Sequence, residues 1–351
     1  MFEKMSMPML FLVFVLAAAA VWFAGIRLSG ATDILDRRLK LGQALAGLIL
    51  LAVATNLPEI AITFSAALQH ALGLAIGNIL GGIALQTIVL VVLDALGLGR
   101  RAPLTSEARS LNLVLEAGLV VAVLMAVVMG AQLPKSAGWG RLEPGALLVA
   151  LLWVLGLWLM ARAKALPWQP QGPPPTRFPA VQQAREQQQA REQHTSTAHA
   201  ALVFTGAAVV TLVAGMVLAG SSDALARHLH LSGALFGATV LAAATSLPEL
   251  STGLAAVRLG DEALAISDIF GGNAFLPVLF LLASLVSGQP VLPQLQRSDL
   301  YLTALGALLT TAYLYGLVFR SRRQWWLLGL DSWAALILYL LGLVGLWLLS
   351  R

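Results

Sequence analysis

The heptapeptide ATNLPEI at residues 54–60 returns almost unchanged as ATSLPEL at residues 244–250, with five of seven residues identical at an offset of 190. The same offset aligns NILGGIA at 78–84 with DIFGGNA at 268–274, where four of seven residues are identical. Two matched blocks in one register indicate that the chain contains two copies of one structural unit. Each copy also places a Pro-Glu dipeptide inside a long apolar stretch.

The composition places this repeat in a membrane. Of the 351 residues, 58% are hydrophobic and 11% are charged, whereas soluble domains have about 45–50% and about 25%. The absence of cysteine excludes disulfides, thiol nucleophiles and thiolate metal sites. Ten stretches reach the length of roughly 20 apolar residues that a spanning helix needs. They lie near 8–28, 43–68, 72–97, 110–133, 144–162, 200–221, 232–257, 263–288, 299–319 and 325–350.

The repeat determines the predicted architecture. The matched blocks fall in the second and third spans and again in the seventh and eighth, so the two copies cross the bilayer in opposite directions. The sequence therefore predicts an all-α integral membrane protein of ten transmembrane helices, arranged as two inverted five-helix repeats. The expected halves are 1–162, with its motif at 46–86, and 200–351, with its motif at 236–276. A polar linker rich in Pro and Gln, 163–199, joins them.

The charge distribution predicts the orientation. One set of alternate connections, with the adjoining span ends, carries 16 Lys and Arg residues, and the other side carries 6. The positive-inside rule places the 16 in the cytoplasm, with the linker, and both termini outside, in the inner or plasma membrane. Membrane insertion then explains the net charge of +5, and no nucleic-acid partner is expected. An alternative at the N-terminus is a cleaved signal peptide, since Lys4 precedes an apolar run; an uncleaved first helix is favoured.

Two carboxylates are the leading candidates for a functional site. Glu59 and Glu249 lie within apolar spans, where a charged side chain costs about 2.5–3.5 kcal/mol to insert. The alternative is a purely structural role, in which each glutamate is protonated and hydrogen-bonds between packed helices. Two carboxylates that meet near the axis of the repeat would instead neutralise a divalent cation. Without the ion, their repulsion and poor solvation would raise their affinity for protons, so protons and metal would compete.

The residues around the glutamates supply further oxygen atoms. Pro58 and Pro248 deprive the carbonyls of Ala54 and Ala244 of their helical partners, and a carbonyl freed inside a bilayer needs another donor or a cation. Nearby side chains add hydroxyl and amide oxygens, namely those of Thr55, Asn56, Thr245 and Ser246. A donor set of oxygens without sulfur or imidazole suits Ca²⁺, Na⁺ or Mg²⁺ better than zinc or copper.

The second block adds two weaker candidates. Asn78 and Asp268 occupy matching positions, and Asp268 is a third acid at membrane depth. The glycines of this block, at 77, 81, 82, 271 and 272, favour close approach of helix backbones.

These motifs resemble the two alpha repeats of the cation/calcium exchanger superfamily, in which GTSLPE is followed by GNxxGSN. The resemblance implies a site formed by spans 2, 3, 7 and 8 and the export of Ca²⁺ in exchange for Na⁺ or H⁺. It also implies that Glu59 and Glu249 are the central ligands, that Thr55, Asn56, Thr245 and Ser246 are neighbouring donors, and that Ala52 and Ala242 contribute carbonyls. Gln86 stands where the family has Asn or Asp.

Three departures from the family pattern concern the counter-ion. Gly82 and Gly272 replace serines, and Leu276 takes a place that often holds an acid or amide. The lost oxygens weaken the expectation of sodium coupling, so H⁺ becomes a competitive counter-ion.

The sequence thus predicts a secondary cation antiporter with no permanently bound cofactor, whose partners are inorganic cations and the lipid bilayer. The alternative is a degenerate relative that binds cations or regulates without transporting them. A membrane-embedded enzyme is a more distant option, because neither a nucleophile–base pair nor an HExxH motif is visible.

Overall fold

A computed structural model of the chain describes residues 2, 5–39, 45–98, 102–108, 110–138, 141–163, 182–183, 186 and 195–349. Helices make up nearly all the regular structure of these residues, and one short hairpin accompanies them. Most of the predicted linker, 163–199, lies outside the described residues.

The described residues of the first half form seven helices. They are α1 (Met7–Leu39), α2 (Leu45–Thr55), α3 (Leu57–Leu68), α4 (Leu72–Leu93), α5 (Leu104–Glu107), α6 (Leu111–Ala131) and α7 (Pro144–Ala163). A π-helical turn over Asp94–Leu98 extends α4, and a 3-10 turn over Lys135–Ala137 follows α6. The helix α4 is the most enclosed of the candidate spans among the described residues.

The second half forms eight helices. They are α8 (Thr197–His228), α9 (Gly233–Phe236), α10 (Ala242–Thr245), α11 (Leu247–Arg258), α12 (Glu262–Phe275), α13 (Leu279–Ser287), α14 (Arg297–Phe319) and α15 (Leu330–Leu349). A π-helical turn, Gly237–Leu241, joins α9 to α10, and 3-10 turns occupy Leu276–Val278 and Leu292–Gln294. The antiparallel strands β1 (Gln324–Trp325) and β2 (Leu328–Gly329) precede α15.

The described helices agree with a multi-pass membrane protein. Eight helical segments are long and apolar enough to span a bilayer, and the number rises to ten if each of two bent helix pairs is one span. Three predicted ends were wrong. The sixth predicted helix, 200–221, continues to His228. The first helix continues past residue 28 to Leu39, because charged residues such as Arg37 lower the hydropathy without ending a helix. The last helix starts at Leu330 rather than at 325, because the hairpin occupies 324–329.

Contacts around the bent pairs recur at the offset of the repeat. Gly25 of α1 lies against Pro248, since a Cβ at Gly25 would come within 2.8 Å of the proline ring. Gly215 of α8, which is 190 positions later, lies against Ala61 of α3, three residues after Pro58. Each long helix thus packs through a glycine on the bent pair of the other half.

Buried carboxylates fasten loops to helix ends at two places. Glu143, just before α7, accepts hydrogen bonds from Ser284 Oγ (2.8 Å), the Val291 N–H (2.9 Å) and the Leu292 N–H (3.0 Å). Asp94 accepts from the N–H groups of Leu104 (2.8 Å) and Gly329 (2.7 Å). These bonds satisfy loop donors that water cannot reach.

Candidate functional site

Both repeated motifs fold as a break between two helices. The axis turns by 72° between α2 and α3, at Asn56, and by 40° between α10 and α11, at Ser246. The proline that follows each break has no N–H and stands in the first turn of the new helix, where no intrahelical donor is needed. Each motif therefore bends its span at a single non-helical residue. Pro58 and Pro248 leave the carbonyls of Ala54 and Ala244 without the N–H group four residues later.

The predicted hydroxyl and amide donors cap the helix ends at these breaks. Asn56 Nδ2 donates to the Ala52 carbonyl at 2.8 Å, and Ser246 Oγ donates to the Ala242 carbonyl at 2.8 Å. Thr55 Oγ1 also donates to Ala52, at 3.3 Å, and Thr245 Oγ1 donates to Ala242 at 3.2 Å. The six residues thus form two matching clusters, in which a carbonyl and two side-chain oxygens lie next to each helix break.

The two glutamates lie in the first turns of the helices that follow the breaks. Glu59 is 1% exposed, and neither of its carboxylate oxygens has a hydrogen-bond partner. Glu249 Oε2 is also buried and without a partner. The partial positive charge of a helix N-terminus favours a carboxylate at this position, but it leaves both groups able to accept a further ligand.

A third acid joins the pair. Glu249 interacts electrostatically with Glu59 and with Asp268 of α12, and Glu59 interacts with Asp268 and faces Thr245. Thr252 Oγ1 donates to Asp268 Oδ2 at 3.2 Å. The structure therefore brings together acids that are up to 209 positions apart in sequence.

The three carboxyl groups meet only like charges. Their electrostatic neighbours are one another, and no Lys, Arg or His bonds to them among the described residues. The described part of the chain also holds no group of three or more His, Cys, Asp and Glu side chains already placed to ligate one ion. A cation bound here would draw on carboxylates together with hydroxyl, amide and carbonyl oxygens, a donor set that suits hard cations.

A cavity of about 280 Å³ reaches this cluster from one face of the helix bundle. We call it the vestibule; its polar lining consists of Thr55, Asn112, Glu116, Ser267 and Asp268. It lies near the start of α6 and the end of α7, where Met160 and Ala161 contribute to its wall. The vestibule gives Asp268 a route to solvent that passes α2.

The corresponding surfaces of the other repeat are sealed. A Cβ at Gly77 or Gly81 of α4 would collide with the backbone of Ala234 or Ala238. Their repeat mates border the vestibule: position 267 is a serine, and Gly271 has no described atom within 4 Å of a Cβ placed on it. The contact of α4 with Ala234 and Ala238 is therefore closed, whereas the equivalent surface of α12 faces the open vestibule.

The donor set differs between the two halves of the site. A Cβ at Gly272 would lie 3.3 Å from Asn56 Oδ1 and 3.7 Å from Gln86 Oε1, so this glycine borders two amide oxygens. At the equivalent place, a Cβ at Gly82 would lie 3.6 Å from a methyl group of Leu276. The symmetry of the contacts is kept, but one half is polar and the other is apolar.

Asn78 forms no hydrogen bond to the carboxylates. It is 1% exposed on the sealed face, and its amide atoms have no hydrogen-bond partner. Sequence analysis missed Asn273, whose Nδ2 donates to Thr87 Oγ1 at 3.0 Å and so ties α12 to α4. Its repeat mate is Ile83, so a search for matched residues passes over it. It also missed Thr252, the hydrogen-bond partner of Asp268.

Known proteins resemble this chain in sequence and in fold. A family model described as "Sodium/calcium exchanger protein" matches residues 9–162 and 199–348. The chain is 28% identical to the inner membrane protein YrbG of Escherichia coli (strain K12) over 263 residues, 74% of each chain. A crystal structure of the H⁺/Ca²⁺ exchanger CAX matches with a TM-score of 0.67 and 16% identity, covering 96% of this chain and 81% of that one. The sodium-calcium exchanger NCX_Mj matches with a TM-score of 0.60 and 17% identity, covering 97% and 99%. The two structural likenesses show a shared fold.

Proposed function

Because the chain belongs to the sodium/calcium exchanger family, and is therefore a secondary transporter and not an enzyme, we propose that it exchanges Ca²⁺ or a similar hard cation for Na⁺ or H⁺. The observation that carries this proposal is the meeting of Glu59, Glu249 and Asp268 between two helix breaks, without a basic partner among the described residues. Like charges in a poorly solvated site repel one another unless cations or protons neutralise them.

The proposed ligands follow from this arrangement. Glu59 and Glu249 are the shared carboxylate ligands, and Asp268 adds a third negative charge at the inner end of the vestibule. Further oxygens come from the clusters at the two breaks: Ala52, Thr55, Asn56, Ala242, Thr245 and Ser246, with Gln86 beside Asn56. Asn78 would reach solvent and the site only when the sealed face opens.

The proposed mechanism is alternating access by two inverted five-helix repeats, 1–162 and 200–351, joined by the linker 163–199. The open vestibule and the sealed Gly77 and Gly81 contacts support it, because equivalent surfaces are found in two different states. Exchange of these states between the repeats would expose the same carboxylates to the other face. The charge bias places the vestibule and the linker in the cytoplasm and both termini outside, in the inner or plasma membrane.

Counterflow in proteoliposomes tests the proposal and identifies the counter-ion. The purified chain is reconstituted with internal Ca²⁺, and ⁴⁵Ca²⁺ movement is followed under an imposed Na⁺ gradient or an imposed pH gradient. Flux that responds to either gradient supports antiport and names the coupling ion. Absence of flux under both gradients for Ca²⁺, Sr²⁺ and Mg²⁺ would reject it.

One observation favours a second candidate, a relative that binds cations without transporting them. The apolar contact between Gly82 and Leu276 removes oxygen donors from one half of the site. Calorimetry separates the two functions. A binding protein shows cation affinity that Glu59→Gln abolishes, while the parent protein gives no counterflow.

A further inference from the structure

The vestibule is acidic, and its equivalent on the other face is neutral. Asp268 and Glu116 both line the vestibule. The repeat mate of Asp268 is Asn78, a side chain of nearly the same shape without the charge. The two access routes of an otherwise symmetric pair of repeats therefore differ in charge: one carries carboxylates and the other a neutral amide.

Asp268 links the vestibule to the central carboxylates. It lines the cavity, receives a hydrogen bond from Thr252 at 3.2 Å, and interacts electrostatically with Glu59 and Glu249. Behind it, Glu59 is 1% exposed, and its two oxygens have no partner. The inner end of the vestibule thus holds an unsatisfied carboxylate that faces the acid at the cavity wall.

Glu116 of α6 is a second acid in the lining of the vestibule. Ser267 Oγ donates to Glu116 Oε1 at 2.9 Å, and both residues line the vestibule. Ser267 directly precedes Asp268, so the hydroxyl positions one acid one residue away from the other. The two carboxylates mark a path from the start of α6 toward the central pair.

The sealed face cannot build the same arrangement. The repeat mate of Ser267 is Gly77, which has no hydroxyl and lies against the Ala234 backbone. An acid does occur on that side at the start of α14, but Asp299 Oδ2 accepts from the Gln296 N–H at 2.8 Å as part of a capping box. The Asp299 carboxylate therefore caps the N-terminus of α14.

We propose that Glu116 and Asp268 form a capture surface for divalent cations, so that the transporter takes up its cation from the vestibule face with a higher apparent affinity than from the opposite face. This inference rests on the proposed antiport function. A cleft lined by one sign of charge between low-dielectric walls concentrates counter-ions. On the other face, Asn78 offers a neutral route that favours release.

The test measures the KM for Ca²⁺ separately on each face. Inside-out and right-side-out membrane vesicles each present one face to added ⁴⁵Ca²⁺. Because the chain has no cysteine, an impermeant maleimide that labels Lys135→Cys, on the exposed connection after α6, reports which face is outward. We expect Glu116→Gln to raise KM on the vestibule face by about tenfold, or about 1.4 kcal/mol, with little change on the other face. Asp268→Asn also weakens the shared site, so it should raise KM on both faces, most on the vestibule face.

Two further variants separate capture from folding. Asn78→Asp adds the missing acid to the opposite route and should lower KM on that face alone. Asp223→Asn removes an equal charge from an exposed ion pair with Arg227 and should change neither KM.

The outcomes also distinguish the two proposals. Flux in the parent protein with equal KM changes on both faces, or with none, would overturn the capture surface and leave antiport standing. Absence of flux in the parent protein for any divalent cation would overturn both.

Discussion

Thr245, at the end of α10, faces Glu59, at the start of α3. The two residues belong to different repeats, so the second half of the molecule helps to enclose the acid of the first. Neither half can therefore form the site alone. The same holds at Gly272, which borders Asn56 and Gln86 of the first repeat.

Replacement of either central acid should abolish cation coupling. We expect Glu59→Gln and Glu249→Gln to remove ⁴⁵Ca²⁺ counterflow and the rise in thermal midpoint that Ca²⁺ gives the parent protein, because ligand stabilisation follows RT ln(1 + [L]/Kd). The midpoint without cation should not fall, since a neutral amide relieves repulsion among the three acids. A variant that keeps full counterflow would show that its glutamate is not a ligand.

The sealed face should not tolerate a side chain at Gly77. Gly77→Leu would force its side chain into the Ala234 backbone, and overpacking of this kind costs about 1–3 kcal/mol. We expect counterflow to stop because this face cannot close, and a cysteine substituted at Asn78 to become reactive to a thiol reagent. Gly271→Ala, at the repeat mate of Gly81, is a control on the open face: no described atom lies within 4 Å of a Cβ placed there, so flux should persist. Equal loss in both variants would contradict this interpretation.

Glu143 should contribute to stability by holding the loop before α14. An amide at this position has one acceptor oxygen in place of two, so Glu143→Gln leaves at least one of its three donors unsatisfied. We expect a loss of about 1–3 kcal/mol, seen as a lower thermal midpoint in detergent. Ser284→Ala removes a single donor and should cost less. The opposite order would argue against this role.

The same residue predicts a pH dependence. Burial raises the pKa of Glu143 above its ordinary value of 4.5, although hydrogen bonds from Ser284, Val291 and Leu292 lower it in part. The folded state then holds the proton more tightly than the unfolded state. The contribution of Glu143 to the free energy of unfolding should fall as pH rises from 4.5 through the folded pKa. The midpoint difference between the parent protein and Glu143→Gln, followed from pH 4 upward, should shift in that direction; a constant or opposite trend counts against it.

Asn273 and Thr87 should be energetically coupled. The 3.0 Å hydrogen bond between them joins α12 to α4 across the two repeats, and such a bond contributes about 0.5–1.5 kcal/mol. Asn273→Ala and Thr87→Val should each lower the thermal midpoint, and the double variant should lose less than the sum of both. Strict additivity would mean that the bond carries no net energy.

The repeat predicts the central acids because a matched polar residue inside two apolar spans has few structural explanations. Glu59, Glu249 and their neighbouring donors were found in this way, and the structure brings them close together. Whether each residue ligates a cation stays a prediction. Sequence analysis missed Asn273 because the equivalent position in the other repeat is Ile83. A comparison of the two repeats therefore does not single it out.

The unequal state of the two halves could not be predicted from sequence. Nearly identical motifs bend by 72° in one half and by 40° in the other, because the conformation depends on which helix pair is closed. Helix ends were predicted less well, because hydropathy locates the end of an apolar run and not the end of the helix. In α1 the helix continues to Leu39 through charged residues that hydrogen-bond their backbones as well as any others.

The contact of Gly77 and Gly81 with Ala234 and Ala238 joins two surfaces that carry no side chain larger than a methyl group. Surfaces of this kind have no protruding groups to interlock, so no rotamer has to change before they come apart. Their separation loses only short-range dispersion energy. Water that then enters can hydrogen-bond to the amide of Asn78, which is buried while the contact is closed. This contact is therefore suited to rapid and reversible separation of the two surfaces.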